Sequence, residues 1–202
     1  MLISNKKQLR EVYGWPSGRA KDKVLSALES HSIHFITKSP FFVLSTYNSA
    51  GKSDSSPRGG QPGFVVVADK QTILVPDAKG NNRVDSLENI IDTGHVGCLF
   101  FIPGINETLR INGTAEISVN SEILNHFAKQ KKKPIAVIKI KIEEVFLHCA
   151  KAFMRSDLWG ESNRQSRPEF PTMGKMLNDQ LKIKDSRIES QQEMEDRYKK
   201  DL

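Results

Sequence analysis

The sequence predicts a mainly β protein with flanking helices (α+β), its strands antiparallel and closed into a barrel. Two patterns predict this. From Pro40 onward, short apolar or alternating segments are separated by turn residues, and only brief stretches of helical period come between them. A closed barrel suits many short antiparallel strands, because closure removes exposed sheet edges. The length agrees, since 202 residues suffice for one domain with a substantial core and are short for two.

Three regions follow: a helical segment over 1–40 packed on the barrel, the barrel over 41–160, and a loop with a charged helix over 161–202. In the first, Ser17 is expected to cap a helix running from Arg19 to Leu28, with Val24, Leu25 and Leu28 on one face. A second helical turn (Ile33, Phe35, Ile36) ends at Ser39-Pro40, because the residue before proline is pushed out of the helical region.

The barrel strands are expected at Phe41 to Tyr47, Lys52 to Arg58, Phe64 to Ala68, Thr72 to Pro76, His95 to Ile102, Thr108 to Ser118 and Ile135 to Leu147. Asn48-Ser49-Ala50-Gly51 and Asp69-Lys70 are turns between them. The last strand alternates strictly, with Ile138, Ile140 and Ile142 against Lys139, Lys141 and Glu143. Between strands, Arg83 to Ile91 reads as a helix with Val84, Leu87, Ile90 and Ile91 on one face, and Ser121 caps another over Glu122 to Lys129. Beyond the barrel come a helical turn at Ala150 to Ser156, a proline-bearing loop at Arg164 to Pro171 and a charged helix at Ile188 to Lys200.

Composition excludes several classes. Apolar content of 38% with 27% charged residues describes a globular chain, and no apolar run approaches the roughly 18 to 20 residues of a membrane span. The charged N-terminal stretch is unlike a signal peptide, so a cytoplasmic location is expected. Cys98 and Cys149 form no CxxC, Cys98 sits in an apolar run as a small buried hydrophobe, and the five histidines lack paired spacing; no metal site is expected. The net charge of +6 could mark a nucleic-acid binder. Its densest run, Lys129 to Lys133, instead lies at a helix end without interleaved aromatics, which suits a solvated cap. A phosphate-bearing ligand fits the excess charge at least as well.

Three segments have the chemistry to meet around an anion. Gly80-Asn81-Asn82-Arg83 leads from a strand into a helix, where unpaired amides and a positive dipole end favour phosphate; an ordinary asparagine-capped start has the same sequence. Arg58, before Gly59 and Gly60, ends a polar strand, where it is either a bidentate phosphate ligand or a surface turn residue. Thr108, Arg110 and Asn112 share one strand face, opposite Leu109 and Ile111, and are either a ligand surface or a polar exterior.

Taken together, these motifs resemble a specific family. Ser39-Pro40-Phe41-Phe42-Val43-Leu44-Ser45-Thr46, Ser56-Pro57-Arg58-Gly59, Pro62-Gly63-Phe64-Val65 and Leu74-Val75-Pro76-Asp77 occur in order. They are followed by Gly80 to Ile90, Pro103 to Gly113 and Val145 to Ala152. This order is similar to the pyridoxamine 5'-phosphate oxidase-like superfamily, nearest a branch of FMN-dependent proteins of unassigned substrate. The resemblance covers well over half the chain. It implies a six-stranded antiparallel split β-barrel of the FMN-binding type, a homodimer whose subunits share each flavin site, and a small-molecule redox substrate.

The resemblance also assigns residues. Arg58, with Gly59, and Arg83 would bind the FMN phosphate, while Asn81 and Asn82 shape the loop. Val75, Pro76 and Asp77 would line the flavin ring. Thr108 and Arg110 would face its polar edge, where positive charge stabilises the reduced anionic ring. Lys151, Arg155 and Trp159 would come from across the dimer. Asn81-Asn82-Arg83 stands where the oxidase itself has one more basic group, and the arginine-rich substrate clamp has no clear counterpart, which argues against vitamin B6 oxidation. No general acid or base is recognisable. A flavin- or haem-binding sensor, a deazaflavin protein and a nucleic-acid-binding barrel are the alternatives.

Overall fold

Residues 2–130, 132–184 and 187–200 are described by the structure, a computed structural model, so Lys131 of the basic run lies outside the described residues. The chain forms two compact units, Met1–Ser156 and Asp157–Leu202. Among the described residues no helix is long and apolar enough to cross a membrane.

Alternation of apolar and polar residues builds the first unit. Its seven strands are β1 (Phe41–Tyr47), β2 (Ser53–Gly59), β3 (Val66–Asp69), β4 (Thr72–Asp77), β5 (His95–Phe101), β6 (Thr108–Ser118) and β7 (Ala136–His148). All are antiparallel to their neighbours, in the order β2-β1-β5-β6-β7-β4-β3. The register puts Phe42 and Leu44 of β1 on the same face as Phe100 and Cys98 of β5 and Leu109 and Ile111 of β6. That face continues through Val145, Ile140 and Ile138 of β7 to Ile73 and Val75 of β4. These side chains are buried together, with the Phe42 and Phe100 rings stacked at 4.7 Å.

The hydrogen-bonded ladder is open, with β2 and β3 as its edges, and it has seven strands where the family resemblance implied six. Side chains nonetheless draw its ends together. Four strands separate β2 from β4, which in a flat sheet would put them roughly 24 Å apart. Yet Arg58 of β2 ion-pairs with Asp77 of β4, so the sheet curls on itself.

The helices are α1 (Lys6–Tyr13), α2 (Arg19–Asp22), α3 (Ser30–Lys38), α4 (Asp85–Thr93), α5 (Ser121–Leu124), α6 (Lys151–Ser156), α7 (Met173–Leu181) and α8 (Gln191–Lys199). α3 ends at Ser39 as the following proline predicts, and sends Phe35 and Ile36 into the core. The expected helix from Arg19 to Leu28 does not form beyond Asp22. Leu25 instead exchanges backbone hydrogen bonds with Val145 at 3.0 and 2.8 Å, which requires extended backbone. The expected start of α4 at Arg83 is also corrected: Val84, at φ −111 and ψ 27, is the non-helical cap, and the helix begins at Asp85. Asn120, not Ser121, caps α5, its side chain accepting from the Glu122 amide.

In the second unit, α7 was not anticipated. Thr172 caps it, accepting from the Lys175 amide. α8 opens with a capping box between Ser190 and Glu193, within the expected charged helix.

Candidate functional site

Strand parity divides the expected site residues between two places. Arg58 pairs in register with the buried Phe42, and Asp77 with the buried Ala136, so both point to the inner face. There the Arg58 Nη1 donates to an Asp77 carboxylate oxygen, each side chain being only 18% exposed. Arg58 Nε is buried with no hydrogen-bond partner. An unmet buried donor costs about 1–3 kcal/mol, so this nitrogen is a position where an acceptor would stabilise the fold. Gly59 follows at the strand end, facing out.

The loop between β4 and α4 leads away from this pair. Asn81 Oδ1 accepts from the Arg83 amide at 3.0 Å, an Asx turn, and Asn82 next to it takes the left-handed conformation. Arg83 is largely exposed and pairs with Asp85, Nε to Oδ2 at 2.6 Å. Its hydrogen bond to Asp85 is the main cause of its raised pKa, and Asp54 adds to it. Asp54 and Arg58 stand at opposite ends of β2, four residues apart, or roughly 13 Å. Arg58 and Arg83 thus have different partners, Asp77 and Asp85. Val75 is fully buried in the core, so its side chain does not line a ligand surface, a correction to the expectation for it.

The second place is the outer face of β1, β5 and β6. A cleft of about 330 Å³ lies there, with Ser45, Gly97 and Leu99 on its floor and Thr108, Arg110 and Asn112 along one side. His148 and Cys149 close one end, and Ala152 and Phe153 of α6 border it. Small residues at Ser45 and Gly97 open the cleft: a Cβ on Gly97 would lie 3.4 Å from Asn112 Oδ1. Thr108 is buried, while Arg110 is exposed with its guanidinium 5.7 Å from the Phe146 ring centre. Asn112 donates to Glu144 Oε2 at 3.0 Å.

Lys151 and Arg155 stand exposed on α6, whose Ala152 and Phe153 reach the cleft. Trp159 belongs to the second unit. Ser45 and Gly97 were not anticipated as cleft residues, whereas Cys149 and Phe153 fall in the stretch from His148 to Trp159 that the resemblance assigned to the site across the dimer. The signal for Ser45 and Gly97 was available: outward positions on two neighbouring strands that carry no large side chain.

The arrangement offers a guanidinium with an unmet donor on one face and a shallow, partly apolar cleft edged by a second guanidinium on the other. The volume lies at the small end for ligand pockets and suits one flat ring system.

Comparison with known proteins identifies relatives of the first unit. The family model for pyridoxamine 5'-phosphate oxidase matches residues 29–149, from α3 through β7. No curated protein matches the sequence. Among solved structures, a variant of HupZ from Group A Streptococcus is 18% identical with a TM-score of 0.50, covering 59% of this chain and 98% of its own. A candidate pyridoxamine 5'-phosphate oxidase from Lactobacillus delbrueckii is 20% identical with a TM-score of 0.49, over 60% and 95%. An FMN-binding protein from Syntrophomonas wolfei is 12% identical with a TM-score of 0.44, over 58% and 88%.

Proposed function

The chain belongs to the pyridoxamine 5'-phosphate oxidase-like family, and from that premise we propose that it is a homodimeric FMN-binding oxidoreductase. The observation that carries the reading is the buried, unpartnered Nε of Arg58. A phosphate oxygen is the acceptor it lacks, and a planar guanidinium matches phosphate in a way a lysine would not. An incoming phosphate shares Arg58 with Asp77 or displaces it, since Nη1 is already engaged.

The flavin ring is assigned to the outer cleft. There Leu99 and Phe153 supply apolar contact, Gly97 leaves room for a flat ring, and Arg110 offers positive charge at the rim. When bound, the flavin supplies hydride or single-electron transfer. The protein's own part is to orient the ring and to stabilise negative charge on it through Arg110. Residues of α6 limit water access from one side.

Arg58 and Arg110 lie on opposite faces of one sheet, and no ligand passes through the packed core between them. A flavin held at both therefore takes its phosphate from one copy and its ring from another, which supports the dimer. Arg58→Ala and Arg110→Ala are each expected to lose flavin. Mixing the two variants, unfolding and refolding them together should recover part of it, because each mixed dimer keeps one intact site. Failure to recover any flavin from a folded mixture would rule out the shared site.

A further inference from the structure

We propose that the groove adjoining the cleft is a second binding site, for a flat organic cation, with Glu143 as its counter-charge. It rests on the flavin reading for its role, since its occupant would then be the flavin's reaction partner.

The groove, about 580 Å³, shares Ser45, Gly97 and Asn112 with the cleft, so the two form one continuous trough across β1, β5 and β6. Its charge contrasts with that of its neighbour. Arg110 lines the cleft, with no carboxylate, and each of the two has one histidine, His148 and His95. Asp54 and Glu143 line the groove, with no lysine or arginine, in a chain whose net charge is +6. One oxygen of the Asp54 carboxylate, Oδ2, accepts from Ser86 Oγ at 2.5 Å. Glu143 is exposed and has no hydrogen-bond or ion-pair partner among the described residues.

Glu143 is there because of a β-bulge. The register of β6 against β7 shifts between Asn112 and Gly113, so that Glu144 faces Asn112, Ile142 faces Gly113, and Glu143 is the unpaired extra residue. Bulges of this kind re-aim a side chain. Glycine is required opposite: a Cβ at position 113 would sit 2.0 Å from the Lys141 carbonyl oxygen. Gly97 leaves part of the groove floor without a side chain. The Tyr47 and His95 rings stand parallel within 3°, with centroids 6.2 Å apart, and give it an aromatic wall. A partly bare floor, an aromatic wall and an unpaired carboxylate select a flat molecule carrying positive charge.

The test uses 1-methylnicotinamide as the flat cation and nicotinate as a flat anion of similar size. Binding to the whole protein is followed by saturation-transfer NMR, with and without FMN, for the wild type, Glu143→Gln and the distant control Glu116→Gln. The cation should bind and nicotinate should not; Glu143→Gln should weaken cation binding about tenfold, the loss of one modest charge contact, and Glu116→Gln should not. Equal binding of both probes, binding of neither, or indifference to Glu143→Gln would overturn the proposal. FMN uptake is read separately from its absorption. A protein that takes up FMN but ignores the cation refutes the groove alone, and one that binds the cation through Glu143 but takes up no FMN refutes the flavin reading alone.

Discussion

Cys98 and Cys149 show how position decides the chemistry of one residue type. Burial pushes the Cys98 thiol up to about 12, while Cys149 is exposed at the cleft. In native protein a thiol reagent should therefore label Cys149 quickly and Cys98 only on unfolding; rapid labelling of both at neutral pH would contradict the core placement. The same shift links to stability. The unfolded thiol loses its proton near 9 and the folded one near 12, so between these values the unfolded state binds fewer protons. Cys98's contribution is thus intact below about pH 9 and falls as pH rises toward 12. Denaturation of Cys98→Ala should lack that part of the alkaline decline. Cys98 was legible as a buried hydrophobe from its apolar neighbours, whereas the partner of Arg58 was not. Asp77 lies 19 residues away on a strand that is no neighbour of β2 in the ladder, and only the curl of the sheet joins them.

At the scale of elements, strands were more legible than helices. A two-residue alternation is local, and β1 and β6 run where it places them. Short helices depend on what competes for their backbone: Leu25 pairs with Val145 instead of extending α2, and the non-helical Val84 delays α4 by two residues. The bulge in β7 was not legible, because Glu143-Glu144 fits a strand with either residue outward until Gly113 is placed opposite. That junction carries a direct prediction. Gly113→Ala puts a methyl group into the Lys141 carbonyl, and should destabilise the protein by about 3 kcal/mol or force the bulge to shift. Chemical denaturation measures it, and a loss within about 0.5 kcal/mol, the range of ordinary surface changes, would show that the two strands are not held this closely.

For the whole molecule, the antiparallel, mainly β architecture with flanking helices was readable from pattern, and the family from motifs between Ser39 and Ala152, within which most of the family match over 29–149 falls. The open seven-stranded ladder was not, since which edges pair is a property of the curled sheet and not of any segment. The division of the expected site into an inner pair, Arg58 with Asp77, and an outer cleft at Arg110 follows from register, which sequence periodicity leaves free between segments. That division is also what makes a second copy part of the proposed site. A flavin bound through its phosphate at Arg58 would show in the absorption spectrum of the protein after incubation with FMN and gel filtration. Visible flavin bands should elute with the wild-type protein at about one flavin per chain and be lost from folded Arg58→Ala. Wild-type protein that emerges folded and colourless, or an Arg58→Ala variant that keeps its full flavin, would contradict it.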